Sequence, residues 1–144
     1  MEILIRQARP EDGERIAAIS TLSLGYPCEA ALVCRRLEAL DLSRERVFVA
    51  ERGGEVIGFV HGELYRLLYQ EDLVNILGLA VDSACQGKGA GRLLMAAVED
   101  WAKHMGCTGV RLNSGSARLE AHGFYTHLGY SNTKQQKRFL KSLK

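Results

Sequence analysis

Leu73-Val-Asn-Ile-Leu-Gly-Leu-Ala-Val81-Asp82, then Ser83-Ala-Cys85, then Gln86-Gly87-Lys88-Gly89-Ala90-Gly91-Arg92-Leu-Leu94, is the stretch around which this chain is organised. An apolar run of strand length stops at Asp82. Glycines follow at Gly87, Gly89 and Gly91, and a helical pattern then begins. A strand that feeds a glycine-rich turn and then a helix is a backbone device for holding phosphate. Glycines let the main chain approach the anion, and the free N–H groups of the helix start point at it.

The spacing decides which phosphate. A dinucleotide turn reads Gly-x-Gly-x-x-Gly, but Arg92 stands where the third glycine after Gly87 and Gly89 would fall. A Walker loop needs a glycine frame before its lysine and a hydroxyl after it, and Lys88 has neither. What remains is Gln86-x-x-Gly89-x-Gly91, which resembles the acetyl-CoA pyrophosphate loop of the GNAT superfamily of N-acetyltransferases, Gln/Arg-x-x-Gly-x-Gly/Ala. A plain strand–helix turn would also carry glycines here, so a second feature is needed.

Working outward, the totals bound the answer. At 144 residues the chain has the length of one domain (1–144), able to bury roughly 70% of its unfolded surface. With 47% hydrophobic and 25% charged residues, the composition is globular. A net charge of +2 gives no reason to expect a nucleic-acid partner. The late cations Lys134, Lys137, Arg138, Lys141 and Lys144 read as a solvated strand edge or tail. Cys28, Cys34, Cys85 and Cys107 form no C-x-x-C pair and no metal-ligand spacing with the histidines. Arg6, Arg9, Glu11 and Asp12 interrupt any signal core, and no apolar run approaches the ~18 residues of a membrane span. A cytoplasmic protein with reduced thiols is expected.

Met1 to Ala8 alternates like a strand, and Pro10 opens a helix with Glu11 and Asp12 in its first turn. Ile16, Ile19 and Leu22 give that helix its apolar stripe up to Gly25. A second helix after Tyr26-Pro27 carries Leu32, Val33, Leu37 and Leu40. Val47–Glu51 and Val56–Tyr65 are strands joined by the Arg52-Gly53-Gly54-Glu55 turn, and Leu73–Val81 is the central strand. Lys88–Met105 is the longest helix, with Leu93, Leu94, Ala97, Val98, Trp101 and Met105 on its apolar side and Gly106 at its end. Val110–Asn113 is a strand, Ser116 a cap, and Ala117–Leu128 a helix stopped by Gly129. Tyr130–Leu143 is one or two extended segments. The order β-α-α-β-β-β-α-β-α-β predicts an α/β (α+β) domain. Its mixed central sheet has six or seven strands, with helices on both faces.

That order is the GNAT order, and Ala121-His-Gly-Phe124-Tyr125-Thr-His-Leu-Gly129-Tyr130 resembles the superfamily's Ala-x-x-Phe-Tyr-x-x-x-Gly-Phe/Tyr segment, one strand after the loop. With Leu79-Ala80-Val81 before the loop, the likeness spans the C-terminal half of the chain. The resemblance implies an acetyl-CoA-dependent N-acetyltransferase acting directly from a ternary complex. It places the pyrophosphate on Gln86, Gly87, Lys88, Gly89, Ala90, Gly91 and Arg92, and pantetheine along Leu79, Val81 and Asn113. The Leu79 N–H becomes the oxyanion donor and Tyr125 the acid for the departing thiolate. Alternative roles stand beside these. Lys88 and Arg92 also suit a solvated helix start, Asn113 a turn cap, and Tyr125 a packed aromatic beside Phe124.

The base is open. An amine with a pKa near ~10 must lose a proton, and His61, Glu63, Glu71, Asp72, His122 or a water chain are the candidates. Asn75 cannot serve, and His104 and His127 read as exposed. Glu63, Glu71 and Asp72 would suit a cationic acceptor such as an aminoglycoside, a polyamine or a lysine side chain. The main alternative is a non-catalytic acyl-CoA-binding sensor or interaction module, for which Tyr125 is the discriminating residue. A nucleotide-binding α/β domain is a weaker third reading. Fold analogy adds a homodimer.

Overall fold

The hairpin at the centre of the molecule follows directly from sequence. Gly53 and Gly54 take φ of 59° and 81°. Two consecutive positive φ values make the turn whose twist matches flanking antiparallel strands, and it joins β2 (Glu45–Arg52) to β3 (Glu55–Tyr65). The computed structural model describes residues 2–116 and 118–144. It divides into two compact units, Met1–Leu112 and Asn113–Lys144.

In the first unit β1 (Ile3–Gln7), β2, β3, β4 (Leu73–Val81) and β5 (Gly109–Leu112) lie in that spatial order. The first four are antiparallel neighbours, and β5 runs parallel to β4. The sheet is mixed, as expected, but it has five strands among the described residues rather than six or seven. The shortfall lies after Tyr130, where residues 131–144 form no strand. Lys134-Gln-Gln-Lys-Arg138 is an unbroken polar run that offers no apolar face to a sheet, and Phe139, Leu140 and Leu143 beyond it are exposed.

Helices α1 (Gly13–Ile19) and α2 (Ala30–Glu38) cover one sheet face. Ile16, Ile19 and Leu37 close there on Val47, Val49, Phe59 and Ala80. Gly13 lets the two helices meet, since a Cβ there would collide with the Cys34 side chain and backbone. Helix α3 (Ala90–His104) covers the other face with Leu94, Met95 and Val98, all fully buried. Each such side chain contributes roughly 1.5–3 kcal/mol by leaving water. Gly62 makes the approach possible, because a Cβ there would stand 3.3 Å from both Val98 Cγ1 and Val74 Cγ1.

Several boundaries move for local reasons. Helix α1 ends at Ile19 and widens into a π turn over Ser20–Leu24, closed by Gly25 at φ 74°. Leu22 therefore swings out to 80% exposure instead of joining the apolar stripe. Helix α2 stops at Glu38, which leaves Leu40 packed on the core from outside the helix. Helix α3 starts at Ala90, not Lys88, because Gly89 at φ 91° is left-handed and cannot be a helical residue.

The second unit contains α4 (Leu119–His127). Ala117, expected as its first residue, lies outside the described residues, and Arg118 rather than Ser116 occupies the N-cap. The other end forms as the sequence predicts. Gly129 takes φ 97°, its N–H donates to the Thr126 carbonyl at 3.0 Å, and the Tyr130 N–H donates to the Tyr125 carbonyl at 3.0 Å. These two bonds are the paired closure of a Schellman C-terminus.

Candidate active site

Strand β4 changes character halfway along. In its ladder with β3, His61 faces Gly78 and Gly62 faces Ile76, so Leu77 is an extra residue with no opposite number. Such a bulge bends a strand and interrupts its pairing. On the other side β5 pairs only from Leu73↔Gly109 to Ile76↔Leu112. Beyond Ile76, Gly78 to Val81 keep β3, and Leu77 to Val81 have no β5 partner within this unit. That edge can hydrogen-bond an extended ligand as if it were another strand. Leu79 and Val81 lie on it, and both are half-buried. The Val81 carbonyl is already occupied, accepting from Ser23 Oγ at 3.0 Å and Gln86 Nε2 at 3.4 Å.

The bare edge runs into the glycine loop. The Asp82 N–H donates to the Ile57 carbonyl at 2.7 Å, and Asp82 Oδ1 caps the Ser83–Cys85 turn by accepting from the Ala84 N–H at 3.0 Å. Arg15 on α1 reaches Asp82 Oδ2 at 2.9 Å. The Ala84 N–H first, and Arg15 second, hold this carboxyl below its usual range. Gly87 and Gly89 are left-handed at φ 81° and 91°, and no atom lies within 4 Å of where a Gly87 Cβ would be. The Leu93 N–H is already bonded to the Gly89 carbonyl at 3.1 Å, so the N–H groups of Ala90, Gly91 and Arg92 precede that bond. Lys88 and Arg92 are exposed on either side. Open glycines, unspent N–H groups and two cations fit a pyrophosphate.

In the second unit, Asn113 is exposed and Tyr125 is half-buried. Tyr125 sits edge-on to Phe124 and Tyr130, at 5.2 Å and 6.1 Å between ring centroids. Burial pushes its phenol up, against a smaller opposing effect of Arg118, so the proton is firmly held at neutral pH. His122 Nε2 lies 2.8 Å from the Gly115 carbonyl, while His127 is exposed.

His61, Glu63 and Asn75 belong to the face of β3 and β4 that α1 and α2 cover higher up, while Glu71 and Asp72 precede β4. His61 Nε2 is 2.7 Å from Glu45 Oε1 on β2. Glu63 Oε2 accepts from Asn75 Nδ2 at 3.1 Å, and Asn75 Oδ1 accepts from Arg111 Nη1 at 2.5 Å. The Arg111 guanidinium lies over the Tyr65 ring at 4.6 Å. Asp72 is bound by Arg66 at 3.1 Å, and Glu71 is exposed. Sequence reasoning missed Glu45, Arg15, Ser23 and Arg111. Glu45 stands across the β2–β3 hairpin from Glu63, but the register shift between Ala50 and Glu51 hides it, because counting outward from the Gly53-Gly54 turn would set Glu45 opposite Gly62. The other three had no local signal.

Residues 5–130 match the acetyltransferase (GNAT) family. The chain is 31% identical over 142 residues to the aminoglycoside N(6')-acetyltransferase type 1 of Stenotrophomonas maltophilia, covering 91% of this chain and 88% of that one. It is 32% identical over 93 residues to the uncharacterized N-acetyltransferase YhdJ of Bacillus subtilis (strain 168), covering 64% of this chain and 66% of its relative. Among solved structures, AAC(6')-Iy in complex with the bisubstrate analog CoA-S-monomethyl-acetylneamine superposes with a TM-score of 0.85 at 19% identity, over 99% of both chains. The class that fold and sequence define is an acyltransferase. This chain belongs to the GNAT acetyltransferase family.

Proposed function

We propose that the whole chain works as an acetyl-CoA-dependent N-acetyltransferase whose acceptor is a small molecule bearing several amines, of the aminoglycoside or polyamine type. The observation that carries the donor half is the bare edge of β4 from Leu77 to Val81, followed through the Ser83–Cys85 turn by the Gly87–Gly91 loop. Pantetheine pairs with that edge, with Asn113 as a further contact, and the pyrophosphate takes the N–H groups at the start of α3. The Leu79 N–H receives the developing oxyanion. One such donor in a water-poor site is worth about 2.7–4 kcal/mol of barrier.

The reaction is direct attack. The amine lone pair forms a C–N bond to the thioester carbon, the C–S bond breaks, and sulfur leaves with the electron pair. Tyr125 gives the thiolate its proton, a role supported by the burial that keeps the phenol protonated. The acceptor class is supported by the carboxylates of Glu45 and Glu63 on one sheet face, and by the aminoglycoside acetyltransferase to which the chain is 31% identical. A homodimer is supported by Phe139, Leu140 and Leu143, which are 90%, 78% and 89% exposed on the cationic C-terminal segment. Light scattering giving a monomer mass would remove it. Four free cysteines accord with a cytoplasmic setting. Among the described residues no helix is long and apolar enough to cross a membrane.

The deciding experiment is thermal unfolding with acetyl-CoA, with ATP and NADH as controls. It is followed by thiol release with neamine, spermidine and a lysine peptide as acceptors. Ligand at 100 times its Kd adds about 2.7 kcal/mol, a rise of several degrees for a chain of this size. A rise shared with ATP, or none at all, would remove the donor assignment. A rise without thiol release would favour a sensor over an enzyme.

A further inference from the structure

A primary amine arrives as an ammonium ion and must lose a proton before its lone pair can attack. Distance along β4 sorts the candidates. The reacting carbonyl belongs at Leu79, and Leu79 is opposite Val60, with His61 opposite Gly78 beside it. Cross-strand partners are about 5 Å apart at Cα, so the His61 ring starts within one residue of the reacting centre. Glu63 faces Asn75, four residues before Leu79, which is about 13 Å at strand rise. Asp72 precedes Leu79 by seven residues, about 23 Å, and is held by Arg66. Glu71 is farther still.

His61 is also the candidate whose ring orientation and tautomer are set by a neighbour. Glu45 receives the Asp41 N–H at Oε2, at 3.3 Å, and faces His61 with Oε1 at 2.7 Å. The turn behind it is organised by Asp41, whose carboxylate accepts from the Ser43 N–H at 3.0 Å and Ser43 Oγ at 2.6 Å. An ionised carboxylate only accepts, so in the neutral ring Nε2 carries the hydrogen and Nδ1 carries the lone pair. No hydrogen bond to Nδ1 is found among the described residues. Across the ladder, Gly78 brings no side chain against the ring, and even a Cβ there would make only an ordinary contact with Phe59 Cε2, at 3.7 Å.

Resting on the acetyltransferase reading, we propose that the Glu45–His61 pair is the general base. Nδ1 of His61 takes one proton from the acceptor ammonium and passes it to solvent, while Glu45 orients the ring and stabilises the imidazolium. The nitrogen lone pair so freed attacks the thioester carbon. The second nitrogen proton, lost once the C–N bond has formed, balances the one Tyr125 gives to the departing thiolate. Glu63, fixed by Asn75, then anchors a more distant ammonium group of the same acceptor.

The test compares wild type, His61→Gln, His61→Ala and Glu45→Gln by thiol release with neamine, spermidine and a lysine peptide, alongside the acetyl-CoA thermal shift of each. Glutamine preserves the bond to Glu45 but accepts no proton. The expected result is an unchanged acetyl-CoA shift with kcat down at least 100-fold in His61→Gln, in line with general-base contributions. Glu45→Gln should lower kcat about tenfold, as expected for a positioning residue. Added imidazole should restore His61→Ala at least tenfold, which a merely structural role would not allow. Turnover of His61→Gln within threefold of wild type, or a loss confined to KM with no imidazole rescue, overturns the base while leaving the donor site intact. Wild type that neither shifts with acetyl-CoA nor releases thiol with any of the three acceptors overturns both readings at once.

Discussion

Arg15 Nη2 lies 2.9 Å from Asp82 Oδ2, and its Nε donates to the Val56 carbonyl at 3.0 Å. The first helix is thereby tied to the residue where the central strand becomes the glycine loop. Asp82 also caps the turn that aims the loop, so Arg15 acts on the proposed phosphate site from a distance. Arg15→Ala should weaken acetyl-CoA binding about three- to tenfold, as measured by titration calorimetry. Stability should fall by only about 0.5–1 kcal/mol, because both side chains are partly exposed. Unaltered affinity would mean that Asp82 and the Ala84 N–H shape the loop without help.

Gly89 offers a test of backbone against charge. Its φ of 91° is a conformation that costs an L residue about 1–2 kcal/mol, so Gly89→Ala should lower the melting point by several degrees. It should also impair acetyl-CoA binding. Lys88→Ala should leave the melting point of the free protein unchanged, since the side chain is exposed. Binding should still weaken, with a shallower salt dependence. If the two substitutions give the same stability profile, the left-handed turn is not what forms the loop.

Tyr125→Phe removes the proton while keeping the ring contacts with Phe124 and Tyr130. Acetyl transfer should slow at least tenfold with acetyl-CoA affinity unchanged. Equal turnover in the two proteins would assign the tyrosine to packing alone.

Much of this was legible in the sequence for a physical reason: strands and turns declare themselves locally. The strand Leu73–Val81 is legible to the residue because an apolar run and Asp82 mark its extent, and Gly53-Gly54 and Gly129 stop their elements through conformations that other residues avoid. What was not legible depends on partners distant in sequence. The bulge at Leu77 is a property of two strands, and the Arg15–Asp82 and Arg111–Asn75 bonds join residues 67 and 36 positions apart. The π turn that expels Leu22 breaks helical periodicity from within. The extra strands expected after Tyr130 came from reading Tyr130–Leu143 as extended segments, while the polar run from Lys134 to Arg138 offers a sheet no apolar face.

Asp12 makes the acid limb of stability predictable. It is buried and accepts from Arg6 Nη1 at 2.8 Å, Arg6 Nη2 at 3.0 Å and the Arg9 N–H at 2.7 Å. Burial works to raise its pKa, but the Arg6 and Arg9 hydrogen bonds outweigh it and hold the carboxyl below its ordinary value. A carboxyl depressed by folding contributes stability that is fully present above the unfolded value of about 3.9. That contribution is lost as pH falls through the lower folded value. Urea unfolding of wild type should therefore weaken from about pH 4 downward. Asp12→Asn should cost roughly 1.5–3 kcal/mol at neutral pH, the range for hydrogen bonds to charged groups. Its acid limb should be flatter than that of wild type. Parallel limbs in the two proteins would place the acid sensitivity in other carboxylates and reduce the Arg6–Asp12 pair to a packing contact.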